Sequence, residues 1–383
     1  MPGKSSAERR ALEVAERAVM GVFETAGFDH VVPDIIQPAD IFLERSGEDI
    51  RARTYVFADP TGAELCLRPD ITVPACRYHL THAARPDAES RYCYFGPAFR
   101  FAADATAPSE FAQAGLEWMG DRDPEAAEAQ VLKVTLDALA AAGLRDVRVT
   151  LGDLGLFRAL LDDFDIPERW RHRLKHHFWR PQAFRDTLDL FTGDAVRLRT
   201  SISDHVDAVS DADIDRAKIW VEQRLQTQSL ALVGGRDVEE IAARLIDKAA
   251  DRSERPLTRA EARRIHDYLA IEGDPDSALV ACRAMGHGKR FEAAAASFAK
   301  RIAKMRELGV PVETFHFSAT FGRNLEYYTG FVFQVEAGDA VQIAGGGRYD
   351  DLLEDMGAGM SVPAVGCAIH CDRLLAVAGW RSA

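Results

Sequence analysis

The chain has 383 residues, of which 47% are hydrophobic and 28% charged, with a formal net charge of −13 at pH 7. This length is sufficient for two domains or for one large domain with an insertion. The acidic balance argues against a surface built for non-specific contact with nucleic-acid phosphates, and no segment has the unbroken apolar length of a membrane-spanning helix.

The cysteine pattern indicates the compartment. Six cysteines occur without CxxC spacing or a regular framework, which is typical of free thiols in a reducing environment. We therefore expect a cytoplasmic protein whose cysteines are small buried hydrophobic residues.

The N-terminal region alternates helical and extended patterns. Ser5 and Glu8 have the spacing of a capping box, and the apolar residues that follow recur near the helical period, which predicts a helix ending near Gly27. Aromatic and β-branched residues then favour strands over helices in several short segments. In chain order we predict strands over 53–59, 66–70, 91–101 and 112–120, a helix over 124–143 and a strand over 147–153.

Helical patterns dominate from about residue 156 to residue 304, and strand signals then return before a last helix. The predicted C-terminal strands cover 312–319, 327–338, 340–347 and 363–369. The simplest fold is α+β: a mainly antiparallel sheet flanked by helices, built from 1–155 and 305–383, with 156–304 as a mainly helical insertion.

Three consecutive glycines occur in AGGGRYDDLL, residues 344–353. A phosphate loop requires a Gly-Lys-Ser/Thr ending or a G-x-G-x-x-G spacing, and neither is present. Glycines that end a strand more often allow close backbone packing. A ligand-binding role depends on the strand that pairs with them.

The expected hairpin partner of these glycines is RNLEYYTGFVFQV, residues 323–335. An arginine, Arg323, and two tyrosines, Tyr327 and Tyr328, at one end of a sheet could hold a small zwitterion with an aromatic or imidazole group. The arginine would pair with a carboxylate, and the tyrosine hydroxyls would bind ring nitrogens. The structural alternative is a tyrosine-rich strand capped by a surface ion pair.

Six segments occur in an order that resembles the class II aminoacyl-tRNA synthetase fold, and two of them resemble the histidine-binding elements of histidyl-tRNA synthetase. The segments are LRPDIT (67–72), YFGPAFRF (94–101), EFAQAGLE (110–117), RNLEYYTGFVF (323–333), GGGRYD (345–350) and VGCAIHCDRLL (365–375). The histidine-type segments are the fourth and the fifth.

The resemblance implies a largely retained histidine pocket. Asp70 and Thr72 match amino-group contacts, Gln113 and Glu117 lie beside the amino group and the ring, and Arg323 matches a carboxylate contact. The full set implied for histidine is Asp70, Thr72, Arg100, Gln113, Glu117, Arg323, Tyr327, Tyr328, Gly345, Gly346 and Tyr349.

The ATP side departs from the synthetase pattern. Arg100 and Arg373 are present, but the loop AADATAPSE, residues 102–110, contains no Lys or Arg to grip a triphosphate. His370 replaces a glycine and would place a ring near the expected adenine pocket. The sequence ends ten residues after Arg373, where a synthetase would begin its anticodon-binding domain. We therefore expect no adenylate formation, no tRNA recognition, no cofactor and no metal.

This combination resembles the family of ATP phosphoribosyltransferase regulatory subunits. The resemblance implies a non-catalytic homodimer that assembles with a short catalytic subunit into a hetero-octamer. It would support the first step of histidine biosynthesis and convey feedback by histidine. Two alternatives stay open: a truncated or divergent histidyl-tRNA synthetase that activates histidine with ATP, and a histidine sensor with another partner.

The basic stretch RWRHRLKHHFWR, residues 169–180, could be interpreted as a nucleic-acid patch, or as a metal site through His172 and His176. No third metal ligand is evident, so we favour an amphipathic helix with a solvated face. Gly234 and Gly235 similarly fit a turn before a helix capped near Asp237 better than a phosphate site.

Overall fold

The computed structural model describes most of the chain. The described residues are 3–45, 48–101, 108–178, 180–192, 213–227, 237–251, 254–322 and 327–379. Two compact units are present, one formed by Met1–Asp163 with Asp267–Ala383 and the other by Phe164–His266.

Helices occur throughout the described part of the chain. They are α1 Ser6–Thr25, α2 Asp40–Arg45, α3 Glu48–Ala52, α4 Thr72–His82, α5 Pro124–Ala141, α6 Leu154–Asp162, α7 Glu168–His177, α8 Pro181–Phe191, α9 Ile214–Thr227, α10 Val238–Ala250, α11 Arg259–Leu269, α12 Pro275–Met285, α13 Lys289–Glu307 and α14 Cys371–Val377. A 3-10 turn, Val312–Thr314, and a π-helical turn, Glu354–Ala358, complete the helical elements of the described residues.

The strands lie in the first unit. They are β1 Asp29–His30, β2 Ile36–Pro38, β3 Tyr55–Ala58, β4 Glu64–Leu67, β5 Ser90–Phe99, β6 Glu110–Met119, β7 Arg148–Asp153, β8 Glu272–Gly273, β9 His316–Ser318, β10 Phe331–Ala337, β11 Val341–Arg348 and β12 Ala364–His370. The predicted strand 312–319 is shortened to β9, because residues 312–314 turn in a 3-10 helix after Pro311.

Within the described residues, nine strands form one sheet in the order β1-β5-β6-β12-β11-β10-β7-β9-β8, and β2, β4 and β3 form a second, smaller sheet. The central pairs from β5 to β7 are antiparallel, whereas β1 pairs with β5 and β7 pairs with β9 in parallel. The predicted antiparallel sheet and the predicted β10–β11 hairpin are both confirmed.

The first unit is larger than the core predicted from the sequence. Residues 156–163 and 267–304, assigned to the insertion, belong to it. The reason is packing: helix α13 packs against α5 and α6, and the rings of Phe157 and Tyr268 stack with centroids 6.1 Å apart. These contacts between residues distant in sequence are invisible to a local change in composition.

Helix α1 begins as predicted. The Ser5 hydroxyl accepts the backbone N–H of Glu8 at 3.2 Å, and the Glu8 carboxylate accepts the backbone N–H of Ser5 at 2.8 Å. This reciprocal capping box satisfies two backbone donors that the helix itself leaves without partners. The helix ends at Thr25, and Gly27 adopts a φ of 86°, which glycine tolerates better than other residues.

The two faces of the large sheet have different neighbours. On β12, Gly366 pairs with Glu117 and Cys367 pairs with Leu116. Successive strand residues point to opposite faces, so Cys367 faces helix α5, where its sulfur lies 2.9 Å from the Thr135 hydroxyl. Glu117 therefore lies on the face opposite α5.

The described residues of the second unit form helices. On α7, Arg169 and Arg173 donate to Asp251 across 2.8 and 2.9 Å, and buried Trp170 stacks on Phe191 with centroids 4.1 Å apart. This agrees with an amphipathic helix, part of whose charge is neutralised internally. Asp237 caps α10 by accepting the Glu240 N–H at 2.7 Å, as predicted, whereas Gly234 and Gly235 lie outside the described residues.

All six cysteines are buried thiols that form no disulfide, which agrees with their predicted role as small buried residues. No helix in the described part of the chain combines the length and apolar character needed to cross a membrane.

Candidate functional site

The candidate site centres on Glu117, a fully buried residue of β6. The hydroxyl of Tyr94 on β5 donates to Glu117 Oε1 at 3.0 Å, and the hydroxyl of Tyr349 donates to Oε2. Burial raises the pKa of Glu117 to about 8, although these hydroxyl donors oppose the shift. The centre of the site is thus a carboxyl group held between two phenols.

Asp70 and Thr72 lie where α4 begins, next to Glu117. The Thr72 hydroxyl is 3.4 Å from the Tyr94 hydroxyl. Asp70 Oδ1 accepts the Val73 N–H at 3.2 Å, while its buried Oδ2 has no hydrogen-bond partner among the described residues. Burial raises the pKa of Asp70, against the opposing charge of Arg100. A buried acceptor without a partner is suited to a cationic or N–H-donating ligand.

Two residues predicted for the site hold the segment that carries Asp70. Gln113 Oε1 accepts the Ile71 N–H at 2.8 Å. Arg100 Nε donates to the Pro69 carbonyl at 2.8 Å. Gln113 on β6 and Arg100, the residue after β5, thereby fix the approach of Asp70 to Glu117.

Three tyrosines form one wall of the site. The Tyr349 ring centroid lies 5.8 Å from that of Tyr327 and 6.5 Å from that of Tyr328, with steep interplanar angles. Tyr327 and Tyr328 precede β10 and belong to the segment after Arg323. Arg323 itself lies outside the described residues.

Glycines on the neighbouring strands leave space for the side chains of the site. A Cβ atom on Gly366 would overlap the Glu117 carboxylate, and one on Gly115 would overlap the Tyr94 hydroxyl. Both contacts would be shorter than 3.0 Å, the distance below which a Cβ atom essentially never approaches another heavy atom. A Cβ atom on Gly347 would lie 3.0 Å from the Tyr328 ring. These glycines allow close approach of bulky groups to the sheet.

The two predicted glycines occupy different faces. Gly345 pairs with Gln334 and Ala368, on the face of Glu117. Gly346 pairs with Phe333 and Cys367, and its missing side chain therefore points toward the α5 face.

Sequence reasoning did not single out Tyr94, although its hydroxyl is central. Its signal lies in the 91–101 strand, where alternation places Tyr92, Tyr94 and Gly96 on one face. The register that pairs them with Glu117, Gly115 and Gln113 is set only by the folded sheet.

A second cluster lies beside Arg100. The imidazole of His370 stacks on Phe111, with centroids 4.1 Å apart and planes 20° from parallel. The Arg100 guanidinium is 5.3 Å from the Phe111 ring centroid. Burial, followed by the charges of Arg373 and Arg100, lowers the pKa of His370 to about 3. A neutral imidazole thus covers the Phe111 ring.

Chemically, the site offers buried carboxyl groups and phenols to a small ligand that carries N–H donors. In the ranges described above, no group of three or more His, Cys, Asp or Glu residues is placed to hold a metal ion.

Comparison with known proteins gives a consistent result. Residues 5–197 and 207–374 match the family model described as histidyl-tRNA synthetase. The chain is 38% identical over 352 residues to an ATP phosphoribosyltransferase regulatory subunit from Mesorhizobium japonicum, covering 90% of this chain and 91% of that protein. It is 35% identical over 353 residues to a protein of the same name from Chelativorans sp., covering 90% and 92%.

Solved structures agree on the fold. An ATP phosphoribosyltransferase regulatory subunit/histidyl-tRNA synthetase from Bacillus halodurans superimposes with a TM-score of 0.70 at 20% identity, covering 98% of this chain and 81% of that one. The histidyl-tRNA synthetase from Nostoc sp. PCC 7120 gives a TM-score of 0.63 at 17% identity, covering 99% and 76%. The predicted class II synthetase-like fold is confirmed.

Proposed function

This chain belongs to the histidyl-tRNA synthetase family and, within it, to the ATP phosphoribosyltransferase regulatory subunits; from that premise we propose how it works. It binds a short catalytic subunit, enables the first step of histidine biosynthesis and conveys inhibition by histidine. The ligand occupies the site around Glu117.

The observation that carries this proposal is the pairing of Asp70 and Glu117. Two buried carboxyl groups lie close enough for their charges to interact, and Asp70 keeps an oxygen without a partner among the described residues. An α-ammonium group would satisfy that oxygen, and an imidazole N–H would reach Glu117. Histidine carries both groups.

A non-catalytic role is supported by the second cluster. His370 stacks on Phe111 and feels the charges of Arg373 and Arg100, and the resemblance places the adenine of ATP near this ring. A ring already on Phe111 competes with a nucleobase for the same face. We therefore propose that the chain binds histidine without activating it.

A homodimer is supported by the small sheet. Ile36 and Phe57, which lie on the same face of this sheet, are 52% and 38% exposed, and Val32 and Ile35, just before β2, are also exposed. A group of exposed apolar side chains is typical of a surface that another protein covers. We propose that two copies of the chain associate there before the catalytic subunit binds.

The deciding experiment measures transferase activity from ATP and phosphoribosyl pyrophosphate. The short catalytic chain is assayed alone, with this protein, and with histidine titrated into the mixture. We expect stimulation by this protein and histidine inhibition that depends on it. Stimulation without histidine sensitivity would remove the feedback role, and histidine-dependent ATP–pyrophosphate exchange by this chain alone would identify a synthetase instead.

Histidine binding tests the site. We expect Asp70→Asn to weaken histidine affinity about tenfold or more, because the amide replaces an acceptor for the ammonium group with a weaker one. Asp87→Asn, at an exposed aspartate, is the matched control and should bind as the wild type does. Calorimetry with equal affinities for all three proteins would contradict the assignment of the site.

A further inference from the structure

A buried ionic cluster lies on the α5 face of the sheet, opposite the candidate site. Glu128 on α5 accepts hydrogen bonds from both Arg301 on α13 and Arg348 at the end of β11. Arg301 also donates to Asp153 at 2.7 Å. One carboxylate therefore connects two helices with the strand that precedes Tyr349.

Arg348 is the most connected member of this cluster. Its guanidinium reaches Asp121 at 3.1 Å, Asp350 at 2.9 Å and the Pro124 carbonyl at 3.1 Å, in addition to Glu128. Arg348 is 6% exposed. A planar guanidinium can serve partners in several directions at once, which a single ammonium group on lysine cannot do with the same geometry.

The cluster contains more acidic groups than basic ones. Two arginines face four carboxylic acids, Glu128, Asp121, Asp153 and Asp350. Asp121 Oδ1 is buried and has no hydrogen-bond partner among the described residues. Burial raises the pKa of both Asp121 and Asp350, with Arg348 opposing. Arg348 thus holds acidic groups that would otherwise repel one another.

Both neighbours of Tyr349 are held by these contacts. Arg348 is fixed on one side, and Asp350 on the other accepts the Ala364 N–H at 2.9 Å. Tyr349 itself donates its backbone N–H to the Ala364 carbonyl at 2.8 Å. Because successive residues point to opposite faces, the Arg348 side chain enters the ionic cluster while the Tyr349 hydroxyl reaches Glu117.

We propose that Arg348 is the positioning residue for Tyr349, so that the ionic cluster on one face of the sheet sets the ligand affinity of the site on the other. The part of this that concerns histidine rests on the proposed function. Linkage makes the effect reciprocal: a ligand held by Glu117 and Tyr349 stabilises the arrangement of α5 and α13 around Arg348.

The test is a double-mutant cycle between Arg348→Lys and Tyr349→Phe. If Arg348 acts through the Tyr349 hydroxyl, Arg348→Lys lowers histidine affinity about fivefold in the wild-type background and by less than about twofold once that hydroxyl is absent. Additive losses would show that Arg348 supports the fold without positioning Tyr349, and would overturn the proposal.

Lys300, which connects helices α5 and α13 at the surface, provides the matched control. Lys300 on α13 forms ion pairs of 2.8 Å with Asp123, just before α5, and with Glu125, in α5. Its side chain is 48% exposed. Lys300→Met should leave histidine affinity unchanged. A loss equal to that of Arg348→Lys would overturn the proposal, because any contact between the helices would then suffice.

Asp121→Asn provides a milder second variant in case Arg348→Lys does not fold. It removes one surplus charge and weakens one partner of Arg348, and we expect a loss of about twofold to threefold that disappears in the Tyr349→Phe background. A loss that persists in that background would count against the proposal.

The same cycle is also measured without ligand, as shifts of the urea midpoint. If the wild type binds no histidine, the proposed function fails, but the positioning role is still decided. Non-additive midpoints for Arg348→Lys and Tyr349→Phe support it, and additive midpoints overturn it.

Discussion

Glu117 shows how burial shapes a single group. The side chain is fully buried, and the groups that donate hydrogen bonds to it are neutral hydroxyls rather than cations. Desolvation therefore outweighs hydrogen bonding, and the pKa rises to about 8. At neutral pH the free protein holds a proton there that an unfolded chain would have released.

This pKa predicts a pH dependence of stability. The unfolded carboxyl titrates near 4.3, so between about pH 4.5 and pH 8 the folded state binds more protons than the unfolded state. The contribution of Glu117 to the free energy of unfolding is therefore greatest below that window and is lost as the pH rises through it. Relative to Glu117→Gln, the wild type should lose on the order of a few kcal/mol between pH 5 and pH 8.

Urea denaturation of both proteins at a series of pH values measures this difference. Parallel pH profiles for the wild type and Glu117→Gln would mean that Glu117 is already ionised in the free protein.

At the scale of elements, the site depends on how β6, β12 and β11 pair. Gly366 lies directly opposite Glu117, and Gly347 lies opposite Gly366. Bulky side chains on one strand are thus accommodated by glycines on its neighbour. The triple glycine of the sequence is part of this arrangement, since it belongs to β11 within the sheet and not to a phosphate-binding turn.

Gly366→Ala should therefore destabilise the protein by about 3 kcal/mol, since its Cβ would overlap the Glu117 carboxylate in a packed interior. Gly330→Ala, at the residue just before β10, is the control, because its Cβ would meet Arg348 atoms no closer than 3.7 Å, an ordinary contact. Denaturant midpoints of the two variants measure the contrast. Equal midpoints would show that Glu117 can move away at no cost.

For the whole molecule, exposed apolar residues are concentrated on the small sheet and the segment before it. Ile36 on β2 and Phe57 on β3 are exposed on one face of the small sheet, Val56 is exposed on the other face, and Val32 and Ile35 precede β2. A three-stranded sheet is only marginally stable when a large part of its apolar surface stays exposed to water. Association of two copies through the face that carries Ile36 and Phe57 would bury those side chains.

We expect Phe57→Lys to convert a dimer into a monomer, because the substitution places a charge in an apolar interface. Val280→Lys is the matched control, since Val280 is 71% exposed on α12, away from the small sheet in sequence. Light scattering after size exclusion should show half the wild-type mass for Phe57→Lys alone. A monomeric wild type, or a dimeric Phe57→Lys, would contradict this surface.

Much of the fold follows from local sequence. The Ser5–Glu8 capping box, the Asp237 cap and the paired strands β10 and β11 were predictable because each signal spans a few residues or a single hairpin. The resemblance carried by short motifs also indicated that Asp70, Glu117 and Tyr349 belong to one site. In the structure Tyr349 donates to Glu117, and Asp70 lies close enough for its charge to act on Glu117, whereas a ligand site at these residues stays a prediction.

Only the tertiary structure decided the rest. The Tyr94 hydroxyl on Glu117, the His370 ring on Phe111 and the membership of α13 in the first unit all depend on pairing between distant segments. Glu128 and Arg348 are 220 positions apart, yet they share a hydrogen bond. Sequence by itself determined the elements and the motif residues, because those signals are local. Strand register and helix packing determined which side chains meet, because burial and hydrogen bonding act through space.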